Sequence, residues 1–274
     1  LPLSEKQGVG SSILPLATYI KFCMRKNILR IYKKLPNSFK NLIKYLLPRG
    51  FVRKIWFKLN SSNNNDYFIF SYESIYKNED AYEKYLEIQK SAFERKIENQ
   101  WETEENIYLL SSYLNEKFDK KLNGVCHGTR TGKEQEWFNT FLNHNSYVFG
   151  TDIGSNLEKY PNTIYFDMNN DKLEWKNKFD FIYSNSWDHS FNPRSMFKNW
   201  LSHLKTDGVL ILNHTATHDP KNFKSVSETD PVAISAIELE NLLKNLGATT
   251  FKINGKARNN DDSLKPWIYI CAQK

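Results

Sequence analysis

From residue 122 onward, short apolar runs alternate with stretches of helical period. The runs fall at 124–127, 147–151, 163–166, 179–184, 209–213, 249–253 and 267–271. Between them, residues 134–142, 194–204 and 233–246 place apolar side chains on one face of a helix. Short apolar runs bounded by polar turns read as buried strands, and their alternation with helices predicts an α/β domain with a mostly parallel seven-stranded sheet. Upstream, residues 79–100 are charged, with Tyr82, Tyr85, Leu86, Ile88 and Phe93 as apolar points, which predicts a helix. Thr103, followed by Glu104 and Glu105, predicts the N-cap of a further helix through Leu114, since a hydroxyl accepts from free amides and acids favour a helix N-terminus. Ser61-Ser62-Asn63-Asn64-Asn65-Asp66 reads as a loop. Three regions follow: a basic amphipathic helical arm (1–60), a helical lead-in or cap (61–121) and the α/β domain (122–274).

Charge sharpens that division. The chain of 274 residues carries a formal +7. Residues 1–60 hold thirteen Lys or Arg against Glu5 alone, leaving 25 of the 38 bases and 30 of the 31 acids to the rest. Residues 21–58 have twelve bases and no acid, interleaved with apolar residues at helical spacing, such as Phe39, Leu42, Ile43, Leu46 and Leu47. That pattern suits an anionic membrane surface, while a solvated helical cap is the alternative. With 40% hydrophobic and 15% aromatic residues the chain can bury a core. Cys23, Cys126 and Cys271 form no metal or disulfide pattern, which fits a reducing cytoplasm, and the six histidines lack zinc-site spacing, so no metal is expected.

The candidate chemistry lies at the strand tips, where open α/β sheets bind ligands. The first tip, Cys126-His127-Gly128-Thr129-Arg130-Thr131-Gly132-Lys133-Glu134, leads into a helix through a glycine-bearing turn. The second, Gly150-Thr151-Asp152-Ile153-Gly154, sets Asp152 where a carboxylate can accept from both ribose hydroxyls of a nucleotide. The third, Tyr165-Phe166-Asp167-Met168, offers an acceptor for an adenine amino group. Each carboxylate alone could simply cap a loop. Three ligand-type tips in succession favour one nucleoside site.

Together with Phe179-Asp180-Phe181-Ile182-Tyr183-Ser184-Asn185-Ser186-Trp187-Asp188-His189 and Lys205-Thr206-Asp207-Gly208-Val209-Leu210-Ile211-Leu212, these tips resemble the class I S-adenosylmethionine-dependent methyltransferases, of the type 11/12-like group. The likeness runs over about 150 residues. It implies a Rossmann-like sheet of order 3-2-1-4-5-7-6 with the last strand antiparallel. It implies that S-adenosyl-L-methionine is the cofactor, with Gly128, Thr129, Arg130 and Gly132 bordering its methionine part. Asp152 and Ile153 would hold the ribose, Asp167 and Met168 the adenine, and Ser184, Asn185 and Ser186 would lie near the reactive methyl. Two positions depart from the family's DxGxGxG pattern: Cys126 stands for the acid and Arg130 for the middle glycine. Arg130 suits the cofactor carboxylate through its guanidinium fork, with solvent or Glu134 as alternative partners.

For the acceptor, His189 with Asp188, and His214 after the fifth strand, are candidate general bases. His189 could instead pin its loop. The polar segment 215–230 is expected to lie over the acceptor, and Trp187 to pack in the core. The reading favours O-methylation of a small molecule, a sugar or a surface-glycan precursor, in the cytoplasm or at the inner membrane face. Nucleic acid fits less well, because the fourth tip lacks a (D/N)PPY-type sequence. A nicotinamide-dinucleotide oxidoreductase and a non-catalytic adaptor of the same fold at a membrane are the competing classes.

Overall fold

The computed structural model describes residues 61–64, 67–76, 80–221 and 227–274. The expected basic arm and its membrane-facing segment, residues 21–58, lie outside these. The sheet begins with β3 (Asn123–His127), β4 (Tyr147–Asp152), β5 (Thr163–Tyr165) and β6 (Phe179–Ser184), preceded by a hairpin of β1 (Ser61–Asn64) and β2 (Tyr67–Phe70). It is completed by β7 (Leu204–His214), β9 (Thr249–Asn254) and β10 (Ile268–Gln273); β8 (Val232–Ile234) lies elsewhere. The seven strands run in the order β5-β4-β3-β6-β7-β10-β9. The first five are parallel, and β10 is antiparallel to both β7 and β9. Renumbered along the sheet, that is the expected order 3-2-1-4-5-7-6.

The central strands are apolar on both faces because both are covered. Val125, Ile182, Leu210, Leu212 and Ile270 enter one core with α5 (Pro193–His203) and α6 (Ala236–Lys244). Cys126, Phe181, Tyr183, Val209 and Ile211 enter the other, beneath α3 (Glu104–Lys117) and α4 (Lys133–Phe141). Phe179 and Phe181 would share a face in a regular strand. The pairing of β6 with β7 shifts register between them, and the irregularity sends their rings to opposite cores.

Helix ends follow local chemistry. Thr103 Oγ1 accepts from Asn106 N and starts α3, as its sequence suggests. Asn192 accepts from Ser195 N with Pro193 in the first turn of α5, and Gly247, at φ +93°, closes the turn after α6. The helix expected over 79–100 is α2 (Ala81–Arg95), capped by Asp80.

Two expectations are corrected. Ser61–Asn64, read as a loop, pairs with β2, so the lead-in opens with a hairpin before α1 (Tyr72–Ile75) and is not helical throughout. Pairing uses the backbone, which a polar composition does not prevent. The helix expected from residue 233 starts at Ala236, because Val232–Ile234 forms β8 against β2 and Ser235 caps the helix through Glu238 N. The resulting three-stranded sheet β1-β2-β8 ties the lead-in to the segment that follows β7.

Candidate active site

The strand order reverses between β3 and β6, and the tips of β3, β4, β5 and β6 surround one cleft there. The turn from β3 into α4 has Gly128, Arg130 and Gly132 all at positive φ, +73°, +53° and +80°. Gly128 is required twice over: its conformation is left-handed, and a Cβ there would lie 2.6 Å from Ser186 Cβ. The turn is latched to β4. Gly128 N and Thr129 N donate to Thr151 O at 2.8 and 3.2 Å, and Arg130 N donates to Asp152 Oδ2 at 2.9 Å.

Asp152 Oδ1 accepts from Ile153 N and Gly154 N, at 2.7 and 3.1 Å. Burial raises its pKa above the usual carboxylate range, against the pull of these three amides and the Arg130 charge. At the β5 tip, buried Asp167 accepts from Asn169 N and Nδ2 on Oδ1, and from Tyr82 Oη on Oδ2 at 2.5 Å. An ionised carboxylate has about four acceptor sites, so each Asp, with three donors, keeps roughly one for a ligand. Ile153 and Met168 line the cleft beside them.

At the β6 tip, Ser184 Oγ donates to His127 O, and Asn185 Nδ2 donates to Glu134 Oε1 at 2.8 Å. Ser186 lines the cleft, whereas Ser184 and Asn185 do not. Nor do Thr129 and Gly132, the Thr129 side chain being buried. Arg130 reaches the cleft, but its guanidinium donates to Asn99 O and not to Glu134.

His189 sits in a short 3-10 turn, Trp187–His189, at the cleft edge. Its Nε2 lies 3.1 Å from Asp230 Oδ1 and 3.9 Å from Asp188 Oδ1, and its Nδ1 is 3.1 Å from Gln89 Oε1. Gln89 Nε2 donates to Thr229 O, which fixes the amide so that its oxygen faces the imidazole. Desolvation alone would lower the His189 pKa, but the carboxylates of Asp188 and Asp230 outweigh it and the net direction is upward. Burial pushes Asp188 up to about 6. Asp230 is depressed despite its burial, held by His189 and by Lys96 Nζ at 3.1 Å. Trp187 is fully buried, its Nε1 on Asn213 O, in the packing role expected. His214 is buried away from the cleft, with Nε2 2.8 Å from Ile234 O, and desolvation lowers its pKa.

The sequence reading did not find the lead-in's share of the site. Tyr85, Gln89, Phe93 and Lys96 on and just after α2 form one wall, and a Cβ on Gly154 would strike the Phe93 ring at 2.4 Å. The amphipathic period of α2 marks a buried face without saying what it faces. Asp230 was also missed, although it ends the polar segment assigned to the acceptor side. Asp188, His189 and Asp230 are close enough to share a metal ion. Lys96 already supplies a cation there.

The sequence matches no protein-family model and no curated relative. Among solved structures, the chain is similar to Burkholderia thailandensis 1,6-didemethyltoxoflavin-N1-methyltransferase, solved with bound 1,6-didemethyltoxoflavin and S-adenosylhomocysteine. That alignment has TM-score 0.53 and 12% identity, covering 70% of this chain and 89% of the other. A chain from the complex of the Haloferax volcanii Trm112 methyltransferase activator aligns at TM-score 0.51 and 10% identity, covering 71% and 98%. At such identities the likeness establishes the fold, which is that of the class I methyltransferases.

Proposed function

We propose that this chain is an S-adenosylmethionine-dependent methyltransferase acting on an oxygen of a small molecule or sugar, surface-glycan precursors included. The observation that carries the class is the convergence of the Gly128 turn, Asp152 and Asp167 on one cleft, each carboxylate keeping an acceptor site. These residues fit an adenosine: Asp152 accepts from the ribose, Asp167 from the adenine amino group, and Met168 offers an apolar surface to the base. When bound, the cofactor supplies an electrophilic methyl group on a sulfonium sulfur. The nicotinamide alternative is less well served, because dinucleotide folds typically order their strands 3-2-1-4-5-6, without an antiparallel strand inserted as β10 is.

On the acceptor side, His189 is the general base. Asp230 holds the Nε2 proton and fixes the ring. Nδ1 donates to Gln89 Oε1 in the charged imidazolium; in the neutral ring, with the acceptor hydroxyl replacing Gln89, Nδ1 carries the lone pair that receives the hydroxyl proton. His214, engaged with Ile234 O, serves the packing of β7 on β8. The basic segment 21–58 we assign to an anionic membrane surface at the inner face, on its charge alone. Vesicles with anionic lipid should sediment the full chain and not one lacking residues 1–60. Equal binding of both removes that assignment.

Calorimetry with S-adenosylmethionine, S-adenosylhomocysteine and nicotinamide dinucleotides tests the class. Binding of the two sulfur ligands and not the dinucleotides is expected. Absence of both sulfur ligands at about 1 mM, the weakest affinity of use here, would sink the proposal.

A further inference from the structure

The tip of β3 has no charge to offer. Cys126 is fully buried, and burial holds its thiol well above the ordinary range, hence neutral. A few residues on, Glu134 in the first turn of α4 is buried, 3% exposed. Its Oε1 accepts from Gln100 Nε2 at 3.0 Å and Asn185 Nδ2 at 2.8 Å. Its Oε2 is buried and, among the described residues, meets no donor. No Lys or Arg among them pairs with Glu134, and the guanidinium of Arg130 is directed to Asn99 O. Burial, with the Glu102 charge nearby, pushes the Glu134 carboxyl up to about 7.

A buried carboxylate oxygen with no donor is costly unless a ligand supplies one. The place of Glu134 says which ligand group could. Asn185, which holds Oε1, has its own Oδ1 2.8 Å from Ser186 Oγ, and Ser186 Oγ lies 3.0 Å from Gly128 O. The hydroxyl has one proton and serves one of these oxygens at a time. Both Ser186 and Gly128 line the cleft, and Glu134 is joined to Ser186 by two hydrogen bonds through Asn185, between the glycine turn and the β6 tip. On the assignment of adenosine to Asp152 and Asp167, this is the end of the cleft left for the cofactor's amino-acid part.

We propose that Glu134 is the anionic partner of the α-ammonium of the cofactor's amino-acid end. The inference rests on the methyltransferase reading and assigns a residue within it. An ammonium has three donors, and Glu134 offers it an unused oxygen inside a low-dielectric wall. Gln100 and Asn185 orient the carboxylate, which makes them positioning residues.

The test compares two ligands on the full chain. S-adenosylhomocysteine carries the amino-acid end, and 5′-methylthioadenosine lacks it. Glu134→Gln should weaken S-adenosylhomocysteine by about 10–100-fold and leave methylthioadenosine within about twofold, as loss of one charge-assisted contact requires. Retained methylthioadenosine binding also shows that the variant is folded. In the wild type, S-adenosylhomocysteine affinity should rise as pH climbs through about 7, where Glu134 ionises, and this rise should vanish in Glu134→Gln. Unchanged S-adenosylhomocysteine affinity in Glu134→Gln, or equal weakening of both ligands, overturns the proposal. If neither ligand binds the wild type, the methyltransferase reading itself falls, and the assignment with it.

Discussion

On the β3–β4–β5 side of the cleft, most of the groups holding the carboxylates are main-chain amides or near neighbours in sequence, with Tyr82 on Asp167 as the long-range exception. Asp152 takes its three donors from residues 130, 153 and 154, and Asp167 takes two of its three from Asn169. On the β6 side, the same work is done by side chains from distant segments. His189 meets Gln89, 100 residues away in the chain, and Asp230 in turn meets Lys96. The first arrangement is mostly local, because the β3 turn and the residues just after β4 and β5 supply five of the six donors. The second depends on how the lead-in and the segment after β7 are joined by β2 and β8. The half we assign to the cofactor is thus built mostly from local contacts, and the half we assign to the acceptor from long-range ones.

Breaking each half separately should separate the functions. Replacing His189 with Ala should lower methyl transfer to a hydroxyl acceptor by about 100–10,000-fold, the usual worth of a general base. S-adenosylhomocysteine affinity should hardly change. A comparable loss of cofactor binding, measured by calorimetry, would show that the two halves are one unit.

Gly128→Ala strikes the turn that joins them. A left-handed Ala costs about 1–2 kcal/mol, and the new Cβ meets Ser186 at 2.6 Å, adding about 1–3 kcal/mol of overpacking. Thermal unfolding should fall by about 5–15 °C for a domain of this size. A shift too small to resolve would mean the turn relaxes freely and is not set by its packing on β6.

The smallest effect sharpens the acceptor half. His189 is raised by its carboxylate partners, so its charged form contributes stability at pH below the unfolded histidine value of about 6.5. That contribution is lost as pH rises through the raised folded value. Catalysis runs the opposite way, because the base must be neutral, and activity should climb over the same interval. Asp230→Asn removes one of the groups that raise His189, so both transitions should move to lower pH. Nuclear magnetic resonance titration of the imidazole reads this directly, and an unmoved His189 would disprove the pairing.

Much of the fold was legible because its central strands are apolar on both faces and because Thr103 caps its helix by a local rule. The order of the sheet came from family likeness, since spacing alone does not rank strands. The hairpin at residues 61–70 escaped because Ser and Asn pair through backbone as well as any residue. The Val232–Ile234 strand escaped because its apolar run merges with that of α6. Asp152 and Asp167 were legible as acids placed directly after strands. Gln89, Asp230 and Lys96 were not, since Gln89 and Asp230 reach His189, and Lys96 reaches Asp230, only through tertiary packing. Glu134 was visible as the acid after the glycine turn, but its lack of a partner is a property of burial.

Asp152 is the residue on which the adenosine assignment turns. Equilibrium titration of S-adenosylhomocysteine into the wild type and Asp152→Ala should show binding to the wild type and about 100-fold weaker binding to the variant, as loss of a charged acceptor for the ribose requires. Equal affinity in the two proteins would contradict it, and would move the adenosine away from the β4 tip.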